Sequence, residues 1–242
     1  MLRGYRADLH IHSCLSPCAE LDMTPRGIIK TAVERGIDII ALTDHNSMEN
    51  VDITRKIGMD KVFVFAGMEV TSSEEIHILA LFDDIERAME LQSLLYDNLP
   101  SGENDERLYG HQVVVNEYDE VLSLNKRLLI GATSIGIGDL VERIRSLGGI
   151  SFASHVDKES FSVISQLGFI PDDLNFDGLE FSPHITGEKA TEMFPQLNKF
   201  PWVSFSDAHY LKEIGRRVTV FDINEISVDN IKKALREGNF HW

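Results

Sequence analysis

Short apolar runs that end abruptly in a histidine or an acid recur along this chain, and the recurrence limits what it can fold into. "RADLHIH" carries His10 and His12, and "IDIIALT" runs straight into Asp44 and His45. "KVFVFAGMEV" holds Glu69 near its end, "GGISFAS" gives way to His155, and "FPWVSFS" to Asp207 and His209. Runs of this length read as buried strands, and the segments between them as helices. Thr24-Pro25 opens one helix, through Val33 to a stop at Gly36; another spans about Asp84 to Leu95; the amphipathic "SVDNIKKALREG" closes the chain. Strands alternating with helices call for a mainly parallel α/β sheet, open or closed into a barrel. About seven strands with polar residues at one end favour the barrel, which assembles its active site from C-terminal strand tips.

The 242 residues suffice for one large core, so a single domain of residues 1–242 is expected. Residues 99–133 break the rhythm: "LPSGENDERLYG" is loop-like, and "HQVVVNEYDEVLSLNKRLLIGAT" reads as an inserted hairpin or irregular lid. Acids outnumber bases 39 to 23, a formal charge of -16, which argues against a long nucleic-acid footprint. A small phosphorylated substrate stays compatible, because bound cations add positive charge locally. No signal-like or membrane-spanning apolar segment is present, so a cytoplasmic enzyme is expected. Cys14 and Cys18 are the only cysteines, and in a reducing compartment they are expected to be free thiols.

The histidines carry the chemistry. His10 and His12 stand two apart in a strand, so both rings face the same side. His77 begins its run, "EIHILALF", instead of ending it. Too few residues join that run to the preceding strand for a parallel crossover, so the two strands are expected to be antiparallel, with His77 returned to the side of Glu69. A lone histidine is more often structural. Many imidazoles and carboxylates at one barrel end are a different matter: they suit borderline metals, and their number exceeds the three or four donors that one ion needs.

"DLHIHS", "TDHN", "GMEV", "HILAL", "ASH" and "SDAH", in this order over most of the chain, resemble the PHP (polymerase and histidinol phosphatase) superfamily. The resemblance implies a distorted (β/α)7 TIM-like barrel with three divalent transition-metal ions, zinc, manganese or iron. It also implies hydrolysis of a phosphoester by metal-activated hydroxide. Carried over position by position, the ligands are His10, His12, His45, Glu69, His77, His155, Asp207 and His209, with Glu69 bridging two ions. For one further ligand, alignment on Thr24-Pro25 selects Glu20, while counting from His12 selects Cys18; oxygen chemistry favours Glu20, and sulfur would bias the site toward zinc. Asp44 is expected to orient a ligand, and Arg216, Lys158 and His184 are candidates for substrate contact. The expected substrate is a small phosphomonoester, a nucleotide or a short nucleic acid. The competing readings are a metallo-hydrolase of amides or lactones and a non-catalytic metal-binding module.

Overall fold

The computed structural model describes residues 1–242. Its strands are β1 (Arg3–Ile11), β2 (Ile39–Leu42), β3 (Phe63–Thr71), β4 (His77–Phe82), β5 (Val113–Val115), β6 (Val121–Leu124), β7 (Ile150–Ala153), β8 (Gly178–Phe181), β9 (Trp202–Ser204), β10 (Thr219–Ile223) and β11 (Phe240–His241). All but β5 and β6 form one sheet in the order β11-β10-β1-β2-β3-β4-β7-β8-β9. Past β9 the chain returns to β1: Ala208 bridges Ile11 in parallel, His12 N–H donates to Ala208 O at 3.0 Å, and Ala208 N–H to His10 O at 3.2 Å. The sheet thereby curls into a nearly closed barrel of β1, β2, β3, β4, β7, β8 and β9, with β10 and β11 extending off the outer edge of β1. Strand β4 runs antiparallel to both β3 and β7, with His77 opposite Thr71. The short connection after β3 leaves no other geometry.

Period-2 alternation sorts the side chains into two cores. Leu9, Ala41, Phe65, Leu79, Leu81, Phe152 and Val203 fill the interior, closed below by Val228, Ile231 and Leu235 of a helix at Val228–Glu237. Ile40, Leu42, Val64, Ala66, Ile78, Phe82, Leu179 and Phe181 face outward under the surrounding helices. Strand β1 breaks the alternation: Leu9 belongs to the inner core and Ile11 to the outer, and its pairing with β2 shifts between Asp8 and Ile11. That irregularity lets His10 and His12 both reach the barrel centre, a use to which bulges near functional sites are commonly put.

The helix at Pro25–Glu34 begins as its sequence implies, with Thr24 Oγ1 accepting from Gly27 N–H at 3.2 Å. No helix is long and apolar enough to cross a membrane. Within residues 99–133, β5 and β6 form an antiparallel hairpin fastened over the loop after β1: Asn50 Nδ2 donates to Val113 O at 2.9 Å, and Val113 N–H to Cys14 O at 2.8 Å. The start of β7 leaves no room for a side chain. A Cβ on Gly149 would sit 2.8 and 2.9 Å from Cζ and Cδ1 of the buried Phe82 ring. Gly149→Ala is therefore expected to lower stability by about 1–3 kcal/mol through overpacking, read as a lower urea midpoint with unchanged slope.

Candidate metal centre

The strand tips converge on the carboxylate of Glu69, which is fully buried at the C-terminal end of β3. Its Oε1 lies 3.0 Å from His77 Nδ1, 3.3 Å from His155 Nε2 and 3.4 Å from His10 Nε2. Its Oε2 lies 3.3 Å from His45 Nδ1 and 3.5 Å from His12 Nε2. Asp207 Oδ1 closes the same space, 3.3 Å from His10 Nε2 and 3.6 Å from His12 Nε2, with His209 Nδ1 at 3.7 Å. The antiparallel turn of β4 places His77 beside Glu69 as expected.

Charge follows from this crowding. Burial, with His209 beside it, pushes His12 down to about 3, and burial holds His45 well below the ordinary histidine range. Burial also opposes a charge on His10, yet Glu180, Asp207 and Glu69 outweigh it and hold the ring well above that range. Burial pushes the carboxyls of Glu69 and Asp207 up, but His77 and His10 around the first, and His10, His12 and Lys158 around the second, keep both well below the carboxylate range. The centre thus sets ionised carboxylates beside a His10 that favours its charged form and beside His12 and His45, whose rings favour the neutral form with a free lone pair.

Those donors fit divalent metal ions. His45 Nδ1, Glu69 Oε1 and His77 Nδ1, which meet at the centre, are buried without a hydrogen-bond partner. His10 Nε2 and His12 Nε2 face each other across the same space at 3.2 Å. Donor atoms of His10, His12 and Glu69 lie within 4.8 Å of one another, as do those of His45, Glu69 and His77. Residues His155, Asp207 and Asn46 take left-handed backbone conformations, with φ of 28°, 49° and 49°. Strain of that kind in non-glycine residues clusters at functional sites.

Behind the donors, acids set the rings. Glu180 accepts from His10 Nδ1–H at 2.9 and 3.0 Å and from His155 N–H at 3.1 Å. The strand reading missed Glu180, although "GLEF" carried a signal: Leu179 and Phe181 face outward, so the acid between them has to face in. Asp44 does not reach the cavity. It takes Ser13 N–H at 2.7 Å and the hydroxyls of Ser13 and Ser16, both at 2.6 Å. With its only proton given to Asp44, Ser16 Oγ accepts from His12 Nδ1–H at 2.9 Å, which leaves His12 Nε2 bare toward the centre. Asp44 is thus linked to His12 through Ser16.

The cavity over these groups measures about 200 Å³ and is lined by Ile130 and Phe161 besides the polar donors. Lys158 is the only lysine or arginine on its wall, and its Nζ pairs with Asp207 Oδ2 at 2.5 Å. Two expected substrate contacts lie elsewhere. Arg216 is held by Ser206 O and Glu213 Oε1, both at 2.9 Å, and His184 is exposed outside the cavity lining. Glu20 also stays out. Its side chain is exposed, and only its backbone N–H touches the site's surroundings, donating to His209 O at 3.0 Å. Cys18 instead turns inward, with Sγ 3.3 Å from His45 Nε2. The loop after Ser16, pinned by Asp44, decides this; spacing along the sequence does not.

A family model described as PHP domain matches residues 8–157, and a second described as PHP-associated matches residues 195–240. An uncharacterized protein of Methanocaldococcus jannaschii is 35% identical over 94 residues, covering 35% of this chain and 55% of that protein. A lesion-specific endonuclease from Pyrococcus furiosus shares the fold with a TM-score of 0.72 at 18% identity, over 97% of this chain and 56% of that one. So does a two-domain protein from Bacteroides vulgatus containing a predicted PHP-like metal-dependent phosphoesterase, at a TM-score of 0.59 and 17% identity, over 99% and 64%. This chain thus spans little more than half the length of the first two.

Proposed function

The chain belongs to the PHP domain family, and from that premise we propose that it is a metal-dependent phosphoesterase of small phosphomonoesters, nucleotides among them. The observation that carries the reading is the convergence of His10, His12, His45, His77 and His155 on one ionised, buried carboxylate, Glu69. With Asp207 and His209 they would hold three divalent ions of zinc, manganese or iron. Such ions, when bound, supply an acidified water and neutralise phosphoryl charge.

The protein's own groups do the rest. Glu180 and the Asp44–Ser16 pair hold the imidazoles of His10 and His12 in one tautomer. Lys158, at the mouth, offers its ammonium to a phosphate oxygen. Ile130 and Phe161 supply apolar surface to the cavity lining. One wall cation matches one phosphate group and not a tracked polyanionic backbone, in keeping with the formal charge of -16. No lysine lies among the buried donors at Glu69, which weighs against a carboxylated-lysine amidohydrolase centre. A cytoplasmic setting belongs to the same reading.

The test is a panel of phosphomonoesters, headed by p-nitrophenyl phosphate, with bis(p-nitrophenyl) phosphate as the diester. Turnover of monoesters is expected, abolished by a chelator and restored by manganese, zinc or iron. Metal-loaded protein that hydrolyses none of the panel would overturn the proposal.

A further inference from the structure

Resting on that metal-centre reading, we propose that Cys18 is a metal ligand, joining His12, His45 and His209 in a sulfur-containing site that prefers zinc to manganese. The ligand atoms of these four residues lie within 4.8 Å of one another. A thiolate sulfur and an imidazole nitrogen on one tetrahedral zinc stand about 3.5 Å apart. Cys18 Sγ and His45 Nε2 stand 3.3 Å apart.

The surroundings build the site from both sides. His45 presents Nε2 to the sulfur at 3.3 Å, while its Nδ1 lies 3.3 Å from Glu69 Oε2. Ser16, fixed by Asp44, has given the Nδ1 proton of His12 its acceptor, so His12 also presents Nε2. The Cys18 loop is tied to the His209 segment through Glu20 N–H and His209 O at 3.0 Å, and His12 and His209 stack with ring centroids 4.3 Å apart. Three nitrogens and one sulfur are a soft donor set, which selects zinc or cobalt(II) over manganese. On ligation the S–H bond is replaced by an S–metal bond; sulfur keeps the electron pair it donates, and the proton leaves to the buffer. Cys14 is no alternative, since it is buried beneath the β5–β6 hairpin with its thiol toward Val113 O.

The experiment loads chelator-treated full-length protein with cobalt(II) and records its absorption. Wild type is expected to show both the visible d–d bands and an intense near-ultraviolet thiolate-to-cobalt band. Cys18→Ser should keep the former and lose the latter, while Cys14→Ser keeps both. Competition between zinc and manganese should shift at least tenfold toward manganese in Cys18→Ser, and further in Cys18→Asp, which restores a charged oxygen ligand. Cys18 lies on the cavity lining and is not part of the packed core, so both variants are expected to fold, which thermal melts check. A thiolate band that survives in Cys18→Ser, or is missing from wild type with cobalt bound, overturns the Cys18 assignment alone. Wild type that takes up no cobalt overturns the metal centre itself and this proposal with it.

Discussion

Glu69→Gln protein is expected to fold, to lose at least one metal ion and to hydrolyse phosphomonoesters on the order of a thousand times more slowly, about 4 kcal/mol of transition-state stabilisation. The substitution nearly keeps the shape and removes one negative charge from the point where five imidazoles meet, at 3.0 to 3.5 Å. Cations held close together repel one another, and a neutral amide oxygen compensates that repulsion far less than a carboxylate. The fold should survive, because the interior packing of Phe65, Leu79 and Phe152 lies deeper in the barrel and does not involve this group. Metal content by elemental analysis and turnover of p-nitrophenyl phosphate check the expectation together. Folded Glu69→Gln with turnover within tenfold of wild type would falsify the bridging role.

Glu180 should behave differently. It meets no substrate, and it acts by holding His10 through Nδ1 at 2.9 Å and the start of the His155 loop at 3.1 Å. Removing an acid behind a metal-bound imidazole typically lowers metal affinity or activity about 10- to 100-fold. Glu180→Ala is therefore expected to need about that much more metal for half-maximal activity, and to regain most of its turnover when metal is in excess. Glu180→Gln keeps an acceptor for His10 Nδ1–H and should fall between the alanine variant and wild type. This graded rescue separates a positioning residue from Glu69, whose loss excess metal should not repair. Equal, unrescued losses in both Glu180 variants would refute the positioning role.

Several of these residues were legible in the sequence for simple reasons. Where an apolar run stops at a polar residue, a barrel strand has reached its tip, and Asp44, His45, Glu69, His155, Asp207 and His209 were found that way. Even the exception, His77, followed from chain length, because the few residues after β3 cannot make a parallel crossover. Glu180 escaped because it sits within its strand, and its partner His10 lies 170 positions away. Arg216 and His184 were placed near the mouth by sequence distance alone; the fold spends the first on Ser206 and Glu213 and leaves the second in solvent.

Taken by itself, then, the amino-acid order determined the α/β alternation, the strand tips and the donor types, since these depend on local periodicity and on each side chain's own chemistry. Only the tertiary structure decided which donors share one point. Closure of the sheet through Ala208 and Ile11 brings β9 back to β1 and so sets His209 against His12. The slip between Asp8 and Ile11 turns both first-strand imidazoles inward. The choice between Glu20 and Cys18 lay in a loop whose path is set by Ser16 bonding to Asp44, a residue on another strand's tip. Spacing along a chain cannot specify such a path, because a loop's conformation is fixed by the groups that fold against it.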